Sequence, residues 1–95
     1  MSTDGHVERT VEIENRAGMH ARPAAELVKL AGTFAADVRI EKDGVEVNGK
    51  SIMGVLMLAA EMGSELRIVA RGDDAAEAVD ALTALVGRGF DEEEG

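Results

Sequence analysis

The hydrophobic period of this chain switches between that of a strand and that of a helix several times within 95 residues, and this alternation limits its fold more than any other feature. From Val7 the apolar residues Val7, Val11 and Ile13 fall on odd positions, with Glu8, Thr10, Glu12 and Glu14 between them, as in a half-buried strand. Across the turn Asn15 to Gly18 the spacing becomes helical: Ala24, Leu27, Val28 and Ala31 share a face, and Gly32 marks the stop. Val38 and Ile40 then alternate with Asp37, Arg39 and Glu41, Asp43-Gly44 signals a two-residue hairpin, and Val45 and Val47 continue into a third strand. Ser51 stands where a short helix needs an N-cap, and Ile52, Val55, Leu56 and Ala59 are its expected buried face. Glu65 to Arg71 alternate again with Leu66, Ile68 and Ala70 inward. Asp73 or Asp74 is the expected cap of the last helix, with Glu77 at capping-box spacing from Asp74. Val79, Leu82 and Val86 form that helix's apolar stripe, and Gly87 and Gly89 end it. The order βαββαβα predicts an α+β two-layer domain, one sheet face covered by helices and the other left to solvent.

Composition narrows the function classes. Phe34 and Phe90 are the only aromatics, so the core is aliphatic. With no cysteine there is no disulfide, thiol nucleophile or thiolate metal site, which fits a reducing cytosol. Residues 1–10 do not resemble a signal peptide, and the longest apolar run, Ile52 to Ala60, is far short of the roughly 20 residues of a membrane span. A net charge of −9 opposes non-specific binding to nucleic acid or an anionic membrane. Asp91 to Glu94 contribute −4 of it, and residues 91–95 read as a solvated, disordered acidic tail. Residues 1–6 read as a flexible polar leader, with His6 a solvated tail residue. Residues 15–30 run the other way, to +2, with Arg16, Arg22, Lys29 and His20 among them. On charge alone this is a phosphate site, an acidic partner's footprint or a chance cluster.

The stretch Gly18-Met19-His20-Ala21-Arg22-Pro23-Ala24 places a histidine where a turn gives way to a helix. A helix start has unpaired N–H groups and the positive end of the peptide dipole, so it suits an anion. The backbone N–H groups of Ala21 and Arg22 are the expected donors, and Pro23 costs nothing there because its missing N–H has no intrahelical partner. Arg22 adds forked donors matched to phosphate oxygens. A neutral imidazole is a nucleophile that forms a phosphoramidate. No carboxylate stands within a few residues of His20 to activate water, and no second histidine is spaced to share a metal. The pattern is that of a carrier; the plain alternative is a capping histidine.

This heptapeptide resembles the active-site motif of the histidine-containing phosphocarrier (HPr) family of the bacterial sugar phosphotransferase system. Asn48-Gly49-Lys50-Ser51-Ile52-Met53-Gly54-Val55 resembles that family's regulatory-serine motif, at family-like spacing. The resemblance implies an open-faced β-sandwich over residues 7–90, a four-stranded antiparallel sheet with three helices on one side. It implies a cytoplasmic, monomeric shuttle that takes a phosphoryl group from enzyme I onto Nδ1 of His20 and passes it to IIA proteins or domains. It also implies that Ser51, besides capping its helix, is phosphorylated by an HPr kinase/phosphorylase, and that no cofactor or metal is needed.

Met53 and Met57 fall on the side of the second helix away from Ile52, Val55, Leu56 and Ala59, as peripheral core or as a soft docking surface. The family shares one interface between this helix and the histidine loop, which makes Met19, Ile52, Met53 and Met57 docking candidates. Arg16, Arg22, Lys29 and Lys50 would supply a basic rim for acidic partners. Rival readings are the nitrogen-related branch (NPr) of the same family, a small His20-dependent phosphohydrolase, and a binding module with a vestigial motif.

Overall fold

The computed structural model describes residues 6–92. The chain runs β1 (Val7–Glu12), α1 (Ala21–Ala31), β2 (Asp37–Lys42), β3 (Val45–Asn48), α2 (Ile52–Met57), β4 (Glu65–Arg71) and α3 (Ala75–Gly87), then a 3-10 turn at Gly89–Asp91. Of the expected leader and acidic tail, residues 1–5 and 93–95 lie outside the described residues. The strands form one antiparallel sheet in the order β1-β4-β2-β3. Asp43 and Gly44 both take positive φ, 52° and 85°, the twist that a two-residue hairpin between β2 and β3 demands.

One sheet face carries Val38, Ile40, Leu66, Ile68 and Ala70 into a core completed by Leu27, Val55, Val79, Leu82 and Val86 from the helices. Each buried Val, Leu or Ile among them contributes about 1.5–3 kcal/mol, so small helices with little intrinsic stability are held by packing. The opposite face is charged. Arg67 on β4 reaches Glu41 on β2 at 2.6 Å and Glu8 on β1 at 3.3 Å, across three strands. The result is the α+β, open-faced architecture that the periodicity and the family resemblance both imply.

Three local expectations are corrected. First, α2 is only six residues long, and Ala59 beyond it adopts φ 49°. That left-handed residue re-aims the chain, so Leu58 and Ala60 enter the core while Ile52 and Ala59 stay exposed. Second, Asp74 precedes α3 but does not cap it. Its carboxylate accepts the N–H groups of Ala35 at 2.9 Å and Ala36 at 2.8 Å, tying the loop before β2 to the start of α3. Those bonds, Ala35's first, with a smaller contribution from the Lys50 charge, hold its carboxyl below the usual range against partial desolvation. Third, Asp91 and Glu92 are not a solvated tail: Asp91 closes the 3-10 turn, and Glu92 folds back onto α1.

Candidate functional site

The site begins at a close approach of two loops. Gly18 has φ 72°, and a Cβ there would stand 2.7 Å from the Ala60 carbonyl oxygen, so only glycine fits. The next residue, Met19, donates its N–H to that same oxygen at 2.8 Å and buries its side chain. Met19 is therefore a core residue and offers no docking surface; the Gly18 turn points it inward.

His20 follows in extended backbone, φ −85° and ψ −172°, as the N-cap of α1. The first intrahelical bond is Ala24 N–H to His20 C=O at 3.0 Å. The N–H groups of Ala21 and Arg22 thus precede the helix ladder, and Pro23 has none to strand. The His20 side chain does not cap the helix; it is 42% exposed and faces outward. Arg22 is exposed one helical position beyond Ala21. Two donors, a fixed cation and an accessible imidazole therefore meet at one helix start.

A carboxylate joins them that no local motif announces. His20 Nε2 lies 2.9 Å from Glu92 Oε2, a contact between residues 72 apart in sequence. Glu92 Oε1 accepts from Asn15 Nδ2 at 3.0 Å, and the same Nδ2 donates to the Gly18 carbonyl at 2.8 Å. Asn15 is buried, with its Oδ1 left without a hydrogen-bond partner. The Asn15 bond, followed by the His20 bond and the Arg22 charge, holds the Glu92 carboxyl below its ordinary range against partial burial. The carboxylate that local sequence reading found missing is thus supplied from the chain's far end. One of its oxygens meets Asn15 and the other His20, so the carboxylate is held against the imidazole.

The remaining predicted residues divide. Ser51 caps α2, its hydroxyl accepting the Gly54 N–H at 3.1 Å. Ile52, Met53 and Met57 are exposed on α2, the two methionines at 67% and 76%. The chain leaving α2 abuts Gly18, so these apolar side chains and His20 belong to neighbouring segments. Arg16 is exposed in the loop before His20, whereas Lys29 stands in the last turn of α1, away from the histidine end. Lys50 is half-buried, its ammonium donating to the Phe34 carbonyl at 2.8 Å, and so is anchored inward.

Known proteins resemble this chain in sequence and fold. The family model for the PTS HPr component phosphorylation site matches residues 7–88. A phosphocarrier protein HPr of Cupriavidus necator is 46% identical over 88 residues, 93% of this chain and 99% of its own length. A phosphocarrier protein NPr of Proteus mirabilis is 48% identical over 86 residues, 90% of this chain and 96% of its own. The crystal structure of HPr-C-His from Thermoanaerobacter tengcongensis superposes with a TM-score of 0.88 at 45% identity, covering 92% of this chain and 98% of that one. With its sheet order, its histidine at a bare helix start and these matches across nearly its whole length, the chain belongs to the HPr family of phosphotransferase-system phosphocarriers.

Proposed function

We infer that His20 is the residue that carries the phosphoryl group, received from enzyme I and passed to IIA proteins or domains. The single observation behind this reading is the start of α1. There an exposed imidazole sits at N–H groups that the helix does not use, with the exposed Arg22 two residues on. Such a site suits holding a phosphoryl group, and among the described residues the carboxylate that meets the imidazole, Glu92, is tied to Asn15 as well. The chain works as a carrier, as its membership of a phosphocarrier family supports. Ile52, Met53 and Met57 form the apolar part of the docking surface, and Arg16 and Arg22 its basic part. Ser51 is the regulatory position: a phosphate there would sit on the start of α2 and add about −1.5 to −2 of charge beside that surface.

Sugar transport is the main reading, and the nitrogen-related branch is not favoured over it. Incubation with phosphoenolpyruvate and enzyme I, followed by intact mass and site mapping, tests the assignment. One acid-labile phosphoryl group on His20, absent from His20→Ala, is expected. Label on another residue, or none with the cognate enzyme I, would overturn it.

A further inference from the structure

We propose that Glu92 is a positioning residue that selects which ring nitrogen of His20 is phosphorylated, by holding Nε2 as the protonated nitrogen and leaving Nδ1 as the nucleophile. The proposal rests on the reading of His20 as phosphoryl acceptor and says what makes one of its two nitrogens the acceptor.

On steric grounds alone an imidazole offers the wrong nitrogen. Nε2 lies between two C–H groups, whereas Nδ1 is crowded by the ring carbon that carries the side-chain stem, so Nε2 is the more accessible nitrogen, and a ring free to exchange tautomers can react there. In this chain Nε2 is 2.9 Å from Glu92 Oε2. An ionised carboxylate only accepts hydrogen bonds. Its partner nitrogen therefore bears the proton, and in the neutral ring the lone pair falls to Nδ1. The carboxylate is itself fixed: Asn15 holds Oε1 at 3.0 Å, and Asn15 is locked to the Gly18 carbonyl at 2.8 Å.

The backbone that delivers Glu92 shows how this placement is enforced. Gly89, Phe90 and Asp91 take φ 66°, 58° and 59° in succession, and at the buried Phe90 this is the left-handed conformation that bulky residues avoid. Such strain persists only where the surroundings enforce it, and it is commonly found where geometry matters to function. Here it reverses the chain after α3 and sets Glu92 against the imidazole, with the Glu92 N–H bonded to Gly89 C=O at 3.0 Å.

In the transfer step the Nδ1 lone pair forms the N–P bond, and the donor's bond to phosphorus breaks with its electron pair. The Nε2 proton stays on the ring, so the positive charge of the phosphorylated imidazole lies against the Glu92 carboxylate. When an acceptor's nucleophile takes the phosphorus, the N–P pair returns to Nδ1.

The test uses the full chain and potassium phosphoramidate, a small phosphoryl donor that loses ammonia and needs no enzyme I. Phosphorus and nitrogen NMR then distinguish the Nδ1 from the Nε2 adduct on His20. Wild-type protein should react at Nδ1, and Glu92→Ala should raise the ratio of Nε2 to Nδ1 adduct at least tenfold. Nitrogen shifts of the unmodified ring should report Nε2–H in the wild type and a tautomer mixture in Glu92→Ala. An unchanged adduct ratio, or the same tautomer in both proteins, would overturn the role of Glu92. Neither readout involves enzyme I, so both remain informative even if enzymatic transfer to His20 fails.

Discussion

The starts of α1 and α2 are both entered from extended backbone and have opposite chemistry. At α2 the Ser51 hydroxyl accepts an N–H of its own helix, at 3.1 Å from Gly54, and an orphan donor is satisfied. At α1 the residue in the equivalent place is a histidine whose side chain turns away from the helix to Glu92, so the N–H groups of Ala21 and Arg22 keep their capacity for an outside acceptor. The first arrangement stabilises a short helix. The second leaves stability unrealised so that an anion can supply the missing acceptor, the trade commonly seen between stability and activity.

Exchanging the two chemistries is the largest perturbation of this contrast. His20→Ser and His20→Ala both remove the imidazole and should both abolish phosphorylation by phosphoenolpyruvate and enzyme I. They differ in capping alone, since neither retains the bond to Glu92. The serine variant should be the more stable by about 1 kcal/mol, a difference of about 4–8 °C in Tm for a domain of this size. Equal melting temperatures would mean that the start of α1 has no open donor to fill.

Much of the molecule is legible in its residue order. Alternation at Val7 to Ile13, Asp37 to Glu41 and Glu65 to Arg71 locates three strands, and Asp43-Gly44 identifies the hairpin to β3. The heptapeptide around His20 announces the site because every part of it is local. What escaped reading is non-local, or rests on residues that carry no signal. Glu92 stands in an acidic run with the composition of a solvated tail, and it reaches His20 through a reversal in which Phe90 adopts a conformation foreign to its type. Ala59 at φ 49° is equally silent, since alanine does not advertise a left-handed turn, and so Leu58 and Ala60 replaced Ile52 and Ala59 in the core. Asn15 looks like a turn residue and is one, but its buried amide also connects Gly18 to Glu92.

A milder perturbation acts on the capped helix. Ser51→Ala should cost about 1 kcal/mol, read as a drop in Tm, while phosphorylation of His20 proceeds at the wild-type extent. Ser51→Asp keeps a capping oxygen and adds negative charge at a favourable helix end, so the fold should hold. Transfer to and from His20 should slow severalfold through repulsion at the docking surface. An unaltered rate with Ser51→Asp would remove Ser51 from the regulatory role and leave it a cap.

The third helix start gives the smallest effect and the finest distinction. Asp74 occupies the N-cap position of α3, yet its carboxylate serves Ala35 and Ala36, so it is a tie between loops and not a cap. Those N–H groups favour the ionised form and lower its pKa on folding. A group whose folded pKa lies below its unfolded one stabilises fully above the unfolded value, about 3.9 for an aspartate. That contribution fades as pH falls through the folded value. Asp74→Ala should therefore melt below wild type at neutral pH, and the gap should narrow on acidification below about pH 4. Glu92 titrates in the same direction, because its carboxyl is also held low, but it is present in both proteins and cancels from the gap. A gap that persists unchanged into acid would show that the tie does not depend on the ionised carboxylate. Asp74 would then belong with Ser51, among residues that act through shape and neutral hydrogen bonds, and His20 and Glu92 would be left as the pair at a helix start whose charge matters.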